Sequence, residues 1–196
     1  MQWYEAGSRF YMGVPPNFVF SPSDEELRAV FAATRCVGVR FAAPLDGPGR
    51  LSYQIVCDDA GYGLESLSSN NRSKVRRGLK RCRVEPTPMA VIAEHGVRAN
   101  EDTVGRQGRD GVFAGDRWGR FFDVAGRTDG FEGWAAWIDD QLAAFLVTVS
   151  FADSVEFLLA RSRSDLLGAY PNNALVFTVA EEMLARRRVG AVTFGL

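Results

Sequence analysis

The last third of the chain carries the pattern that most constrains its fold. Two apolar runs flank Asp139-Asp140, an arrangement typical of a β-hairpin with a tight turn. Further along, Pro171 opens a segment with apolar residues at helical spacing, and Gly190 ends it. The predicted elements are strands over residues 134–138, 142–149 and 154–161, a helix over 171–188 and a strand over 191–194. This order indicates an α/β (α+β) fold.

Shorter signals predict the upstream elements. Residues 1–24 are aromatic and turn-rich, and no element is predicted before Ser23, which precedes three acids and favours a helix to about residue 34. A basic helix is expected over 72–81 with Ser69 or Asn70 as its cap. The other predictions are strands over 36–41 and 51–57 and helices over 91–95 and 99–106. We divide the chain into an N-terminal α/β portion, residues 1–64, and a core, residues 65–196.

Composition excludes several classes of protein. The chain has 196 residues, 46% of them hydrophobic, and 23 Lys+Arg against 24 Asp+Glu, which are values of a soluble globular protein. No apolar run approaches the roughly 20 residues that span a bilayer, and the N-terminus does not resemble a signal peptide. We therefore predict a cytoplasmic protein without a membrane partner.

Cysteine and histidine usage argues against two kinds of chemistry. The three cysteines, Cys36, Cys57 and Cys82, are widely spaced and predicted to be free thiols. His95 is the single histidine, and no Cys, Asp or Glu around it has metal-ligand spacing. We expect neither a metal site nor a mechanism built on a catalytic histidine.

A cationic segment stands out against the neutral total. Seven of the twelve residues from 72 to 83 are basic, and none is acidic. Such density is typical of phosphate recognition on nucleic acid, including tRNA, or on a charged cofactor. The alternative is a solvated amphipathic helix that packs on a sheet through Val75, Leu79 and Cys82.

Two other polar groups are candidate anion sites. Arg106, Gln107 and Arg109 offer planar donors for a carboxylate or phosphate, with a plain surface turn as the alternative. The second group lies between a strand and a helix N-terminus, where free amides favour an anion. Its members are Arg161, Arg163, Tyr170, Asn172 and Asn173. Here the alternative is helix capping by Asn172 or Asn173.

One carboxylate is a candidate general base. Glu156 lies between Val155 and Phe157 in a predicted strand, and a half-buried carboxyl can have a raised pKa and accept a proton. The alternative is an outward-facing strand glutamate.

Three stretches carry a family resemblance. They are the basic segment 71–80, the hairpin 134–145, and the stretch from Tyr170-Pro171-Asn172-Asn173 to Phe194-Gly195. Together they resemble acyltransferases of the GNAT superfamily, on its Fem-type side, over roughly residues 65–196. The resemblance implies a mixed, mostly antiparallel central sheet flanked by helices, with an acyl thioester donor where two strands splay. It also implies direct attack by an amine, a base, and backbone amides that hold the thioester oxygen.

The chain departs from the family in two places. The family's Gly-x-Gly turn for the donor pyrophosphate is not reproduced, since residues 161–169 form a longer segment with one glycine. The core is also expected to lack the last elements of the family fold, because the sequence stops after the strand at 191–194.

Three hypotheses for function follow. The first is an N-acyltransferase that uses acetyl-CoA or another acyl-CoA, with Glu156 as base and a donor site of Arg161, Arg163, Asn172 and Asn173. Its amine acceptor would be a small molecule or a peptide. The expected substrate-binding residues are Arg106, Gln107, Arg109, Tyr170, Arg76 and Arg77. The second is a Fem-like, aminoacyl-tRNA-dependent transferase or RNA-binding module, and the third is a non-catalytic binding protein of the same fold. A homodimer is compatible with all three.

Overall fold

The computed structural model describes residues 2–7, 9–14, 18–47, 51, 53–108 and 115–194. The chain forms two compact units, Met1–Gln54 and Ile55–Leu196. Arg109 lies outside the described residues, so its predicted role has no structural counterpart here.

The first unit contains a small sheet and one helix. Its elements are β1 (Gln2–Gly7), β2 (Phe10–Val14), α1 (Asp24–Thr34) and β3 (Gly38–Arg40). β1 pairs antiparallel with β2, and β2 runs parallel to β3. Ser23 caps α1 and forms a capping box with Glu26, as the sequence predicts. The absence of strands before Ser23 is a wrong prediction, because β1 and β2 pair there through a short hairpin whose turn includes Arg9 with φ 67°.

The second unit is a mixed sheet with helices on both faces. Its elements are β4 (Ile55–Cys57), α2 (Ser69–Arg81), β5 (Arg83–Pro86), α3 (Met89–His95), α4 (Val97–Gln107), α5 (Asp116–Ala125), β6 (Phe131–Ile138), β7 (Gln141–Phe151), β8 (Ser154–Ser162), α6 (Pro171–Glu181) and β9 (Ala191–Phe194). The strand order is β4-β9-β8-β7-β6-β5, and β8 and β9 are its one parallel pair among the described strands. This is the mostly antiparallel sheet that the sequence predicts.

Each face of the sheet has its own hydrophobic core. On one face α6 packs on the sheet through Leu175, Val179 and Met183, with Val155 and Phe157 of β8 beneath it. On the other face α3 and α5 cover Phe145, Val147 and Leu159 with an aromatic group of Trp118 and Phe122. The alternation of side chains along β7 supplies both cores from one strand.

Several predicted boundaries are wrong for local reasons. The strand predicted over 51–57 comprises only Ile55–Cys57, because β9 pairs with three residues there. The strand predicted over 36–41 comprises Gly38–Arg40. The cap of α2 is Ser68, whose side chain accepts a hydrogen bond from the Asn71 amide, rather than Ser69 or Asn70. The helix predicted to residue 188 ends its α-helical part at Glu181 and continues as a π-helical turn over Glu182–Arg186.

The structure also bears on the predictions of free cysteines and of no membrane-spanning segment. All three cysteines are free; Cys36 and Cys82 are buried, and Cys57 is half-buried. Among the described residues, none of the helices has both the length and the apolarity that crossing a membrane requires.

Candidate active site

β8 extends beyond the end of β9. The two strands pair only from Ser154 opposite Ala191 to Phe157 opposite Phe194. β8 continues to Ser162 along its other neighbour, β7. Beyond Phe157, β8 therefore has no described strand on its β9 side. Ligands of open α/β sheets bind outside the carboxyl ends of the strands, so we place the candidate site at the carboxyl ends of β8 and β9 and call this region the opening.

β8 contains a β-bulge where it extends past its pairing with β9. Phe157 lies opposite Thr148 and Leu159 lies opposite Val147, so Leu158 is an extra residue in β8. Its side chain is 40% exposed, in contrast to its buried neighbours. The extra residue of a bulge is left out of the ladder. The backbone amide of Leu158 is therefore a candidate donor to an oxygen in the opening.

Glu156 is buried just before the bulge. Its residue is 8% exposed, and it lies opposite Val149 on one side and Thr193 on the other. Since Val155 and Phe157 face α6, the Glu156 side chain is on the opposite face of the sheet. Among the described residues, no group donates a hydrogen bond to its carboxyl. Burial raises the pKa of Glu156 above its ordinary value, a condition that favours proton uptake near neutral pH.

α4 holds the C-terminal end of β8. The Thr103 hydroxyl donates to the Ser162 carbonyl at 3.1 Å and accepts from the Ser162 amide at 2.9 Å. Nη2 of Arg106 donates to the Ser162 carbonyl and hydroxyl oxygens, both at 3.0 Å, and Nη1 donates to the Ser164 hydroxyl. Arg106 therefore fixes the strand end with donors that the sequence interpretation assigned to a substrate. Gln107, in the last turn of α4, has an exposed side chain without a hydrogen bond to another described residue.

The loop after β8 is also tied to α4 through carboxylates. The Ser164 amide donates to Oδ2 of Asp102 at 2.7 Å, and Arg98 donates to Oδ2 of Asp165 at 2.9 Å. Arg163 makes two further bonds to Asp165 and one to the Gln141 side chain. The hydrogen bond from Arg163 lowers the pKa of Asp165 below its ordinary value. The loop thus carries its own counter-ions.

The two arginines predicted to bind a donor have protein partners. Nε of Arg161 donates to Oδ1 of Asn100 at 3.0 Å, and its Nη1 donates to the Ala160 carbonyl. The Arg163 side chain is only 12% exposed beside Asp165. Both side chains remain at the end of β8, where the sequence places them, and both contribute to the internal network there.

The start of α6 has an unusual conformation. Tyr170 precedes Pro171 with φ 62° and ψ 40°, a left-handed geometry that is rare for an aromatic residue. No side chain caps this helix, so the predicted capping by Asn172 or Asn173 is wrong. The Asn172 amide instead donates to the Ser162 hydroxyl at 2.9 Å, which joins α6 to the end of β8. Asn173 is half-buried.

α2 presents a cationic depression of about 290 Å³. Its lining residues lie on one face of the helix: Ser69, Arg72, Ser73, Arg76, Arg77 and Lys80. Glu65, the acid nearest this face, accepts a hydrogen bond from Arg72 at 2.6 Å and lies 3.7 Å from Arg76. Arg77 and Lys80 have no acidic partner among the described residues. The depression therefore keeps an excess of positive charge.

α2 packs closely against the first turn of α6 and the loop before it, which border the opening. A Cβ on Gly78 would lie 2.6 Å from the Tyr170 carbonyl oxygen, so the backbones of α2 and α6 approach closely there. Arg81 donates to the Gly168 carbonyl at 3.1 Å, and the Arg77 guanidinium lies 5.9 Å from the centre of the Tyr170 ring. The cationic depression thus borders the loop between β8 and α6. The predicted apolar stripe of α2 is partly wrong, because Leu79 is 40% exposed and Gly78 is buried in the contact.

The structure brings most of the predicted site residues to one end of the sheet and adds others. Arg106, Arg161, Arg163, Asn172 and Tyr170 meet there, whereas Glu156 lies within the paired part of β8. The sequence analysis missed the Leu158 amide and Asp102. Leu158 stands in a smooth apolar run that gives no sign of a bulge, and Asp102 is an acid on a polar helix. The one signal in the sequence was Gly78, a glycine inside an otherwise helical pattern, and it indicates the close contact between α2 and α6.

Comparisons with known proteins bear on this fold. No family model matches the chain, and no curated protein matches it significantly. Among solved structures it is similar to FemX, with a TM-score of 0.61 at 12% identity over 72% of this chain and 52% of that one. It is also similar to the C-terminal domain (DUF2156) of a putative lysylphosphatidylglycerol synthetase from Agrobacterium fabrum, with a TM-score of 0.66 at 10% identity over 99% and 66%.

A third structure extends the same comparison. L-PGS from Bacillus licheniformis matches with a TM-score of 0.51 at 12% identity over 72% of this chain and 44% of that one. The chain thus spans between 44% and 66% of the length of these three structures. Identities this low establish the fold alone. The chain has the fold of the GNAT-like acyltransferases, as the sequence resemblance implies.

Proposed function

We propose that this chain transfers an aminoacyl group from aminoacyl-tRNA to an amine acceptor. The cationic depression on α2 is the observation that carries this proposal. It presents Arg76, Arg77 and Lys80 along one helix face, next to the loop that leads from β8 to α6. Arrays of arginine and lysine without matching acids are the usual means of holding a nucleic-acid backbone. The phosphates of the acceptor stem would lie on α2, and the charged 3′ end would reach the opening.

The chemistry needs one base and one donor to the carbonyl oxygen. The acceptor amine attacks the ester carbonyl carbon, and Glu156 takes a proton from the nitrogen. The Leu158 amide stabilises the developing negative charge on the carbonyl oxygen. As the amide bond forms, the ester carbon–oxygen bond breaks, and the ribose oxygen leaves with the electron pair and takes up a proton. No covalent enzyme intermediate is required.

An acyl-CoA donor is the competing hypothesis. The first-turn amides of α6 lie at the opening and favour an anion. Against this donor, the loop that would hold a pyrophosphate is already filled with protein carboxylates. Asp102 accepts from the Ser164 amide, and Asp165 binds both Arg98 and Arg163. An added pyrophosphate would meet two carboxylates there, so we favour the tRNA donor.

Binding of uncharged bulk tRNA tests the choice of donor. Fluorescence anisotropy between about 50 and 200 mM salt should give affinity that falls steeply with salt, since each neutralised phosphate adds roughly 0.7–0.9 to the slope. The triple variant R76Q/R77Q/K80Q should lower that slope by about 2–3. R127Q is the matched control, because Arg127 is exposed and lies at the end of α5, outside the depression.

Calorimetry with acetyl-CoA provides the opposing outcome. Absence of RNA binding at low salt together with acetyl-CoA binding would overturn the tRNA proposal in favour of the acyl-CoA donor. Binding of neither would favour the non-catalytic protein of this fold.

Transfer itself is tested with bulk tRNA charged with radiolabelled amino acids and hydroxylamine as a small amine. The protein should release amino acid hydroxamate faster than the uncatalysed reaction. E156Q should slow the catalysed rate by about 100-fold or more, the usual scale for loss of a general base. Equal rates for E156Q and the unaltered protein would exclude Glu156 as the base.

A further inference from the structure

A second concave surface lies on the face of the sheet opposite α6. It is a groove of about 390 Å³ between α5 and the start of β6. Its apolar lining comes from Phe121, Val124, Ala125 and Phe131, while Arg117 and Arg120 also border it. We call it the α5 groove. Its volume lies within the roughly 300–1,000 Å³ typical of small-ligand sites.

The lining of the α5 groove is open to solvent. Val124 is 52% exposed, and Phe121 and Phe131 are half-buried beside it. The same helix buries Trp118 and Phe122 in the core, so α5 is apolar on two sides. Partly exposed apolar side chains beside a helix that already has a full core contact indicate a binding surface.

Charge makes the α5 groove selective. Arg117 and Arg120 are three residues apart and therefore lie on one face of the helix. Neither has an ion-pair or hydrogen-bond partner among the described residues. Among the acids around them, Asp123 binds Arg127 and Glu132 binds Arg187 at 2.6 Å, and Asp116 in the first turn of α5 forms no ion pair with either arginine within the described chain. Two guanidinium groups that have no partner in the described part of the chain, at an apolar groove, complement a ligand with an anionic head and an apolar body.

We propose that the α5 groove binds an anionic amphiphile, a single aliphatic chain that carries a carboxylate or a phosphate. The chain lies on Val124, Phe121 and Phe131, and the head group is held by Arg117 and Arg120. The site is separate from the depression on α2, whereas Glu156 lies two strands from Phe131 on the same face of the sheet, across Val149. Binding of the amphiphile does not require a particular acyl donor.

Calorimetry with two matched amphiphiles tests this site on the full chain. Decyl phosphate, kept below its micelle concentration, should bind at least about tenfold more tightly than decyltrimethylammonium, which has the same chain and the opposite charge. R117Q/R120Q should weaken decyl phosphate binding by about tenfold or more. V124D should weaken decyl phosphate binding by a similar factor, because it places a charge in the apolar lining of the groove. R28Q, a change at an exposed, paired arginine of α1, should leave binding within about twofold.

Several results would overturn the proposal. These are failure of the unaltered protein to bind decyl phosphate, equal binding of the cationic amphiphile, or an equal loss in R28Q. Binding to phosphatidylglycerol vesicles without binding to monomeric decyl phosphate would instead assign the surface to a bilayer. A concentration-dependent dimer in sedimentation that V124D dissociates would assign it to a second copy of the chain. Retained binding of both decanoate and decyl phosphate would support the shared head-group chemistry.

Discussion

Gly78 and Ala174 meet where α2 crosses α6, so closely that a Cβ on Gly78 would lie 2.9 Å from the Cβ of Ala174. The contact brings the cationic helix against the first turn of α6 and thereby against the opening between β8 and β9. Its geometry depends on the absence of a side chain at position 78, since the Tyr170 carbonyl oxygen would lie even closer to that Cβ, at 2.6 Å.

Substitution of Gly78 should therefore separate the two helices. We expect G78A to lower the free energy of unfolding by about 1–2 kcal/mol, because overpacking outweighs the gain in helix propensity. G105A is the matched control, since nothing lies within 4 Å of a Cβ at that position of α4. It should raise stability by up to about 1 kcal/mol. Urea denaturation of both variants measures the difference, and a stabilising G78A would contradict the close contact.

Thr103 should be the more sensitive of two threonines to loss of its hydroxyl. T103V removes the group that both donates to and accepts from the Ser162 backbone, and it leaves a buried amide without its partner. We expect a loss of about 1–3 kcal/mol in the free energy of unfolding. T128V removes an exposed hydroxyl that bonds only to the Val124 carbonyl, and it should change stability by less than about 0.5 kcal/mol. Equal effects would refute the anchoring of β8 by α4.

Glu156 should make stability depend on pH in a defined direction. Because burial raises its folded-state pKa, the folded protein holds this proton more tightly than the unfolded chain. Its contribution to stability is therefore fully present below the unfolded pKa and is lost as pH rises through the folded pKa. E156Q should remove that decline, whereas E94Q, a change at an exposed glutamate, should not. Denaturant midpoints between about pH 4 and 8 measure the effect, and identical profiles for E156Q and the unaltered protein would count against the buried carboxyl.

Asp165 should titrate below the ordinary range for an aspartate. The hydrogen bond from Arg163 lowers its pKa, so its stabilising interaction is present above the unfolded pKa and is lost as pH falls through the folded one. In R163Q the carboxyl resonance of Asp165 should titrate at higher pH, which carbon-detected NMR can follow. An unchanged titration in R163Q would show that Arg98 alone sets the charge state of Asp165.

Local patterns predicted the part of the fold in which chain neighbours pair. The β6–β7–β8 meander and the start of α6 were predicted because their turns carry Asp139-Asp140 and Pro171 as signals in the sequence itself. β4 was predicted too long, since its extent is set by β9, which lies more than 130 residues away along the chain. A partner so distant leaves no periodicity in the strand that it pairs with.

The sequence predicted which residues lie at the candidate site but not which hydrogen bonds they make there. The sequence identified Arg106, Arg161 and Arg163 as planar donors, and all three lie at the end of β8. It did not show that Asn100 would accept from Arg161 or that the Ser162 carbonyl would accept from Arg106, because hydrogen bonds across roughly 60 positions of sequence have no local signature. α2 kept its predicted charge because a row of cations on one helix face does not depend on tertiary partners.

The extra residue at Leu158 changes what β8 can tolerate. Phe157 and Leu159 are two positions apart, yet they belong to the cores on opposite faces of the sheet. An uninterrupted strand would put both on one face. Deleting Leu158 would therefore leave Leu159 directly after Phe157, on its present face and opposite Val147, so the bulge would be lost but both cores would keep their side chains. A deletion elsewhere in β8 would instead move the side chains on one side of the deletion to the other face of the sheet.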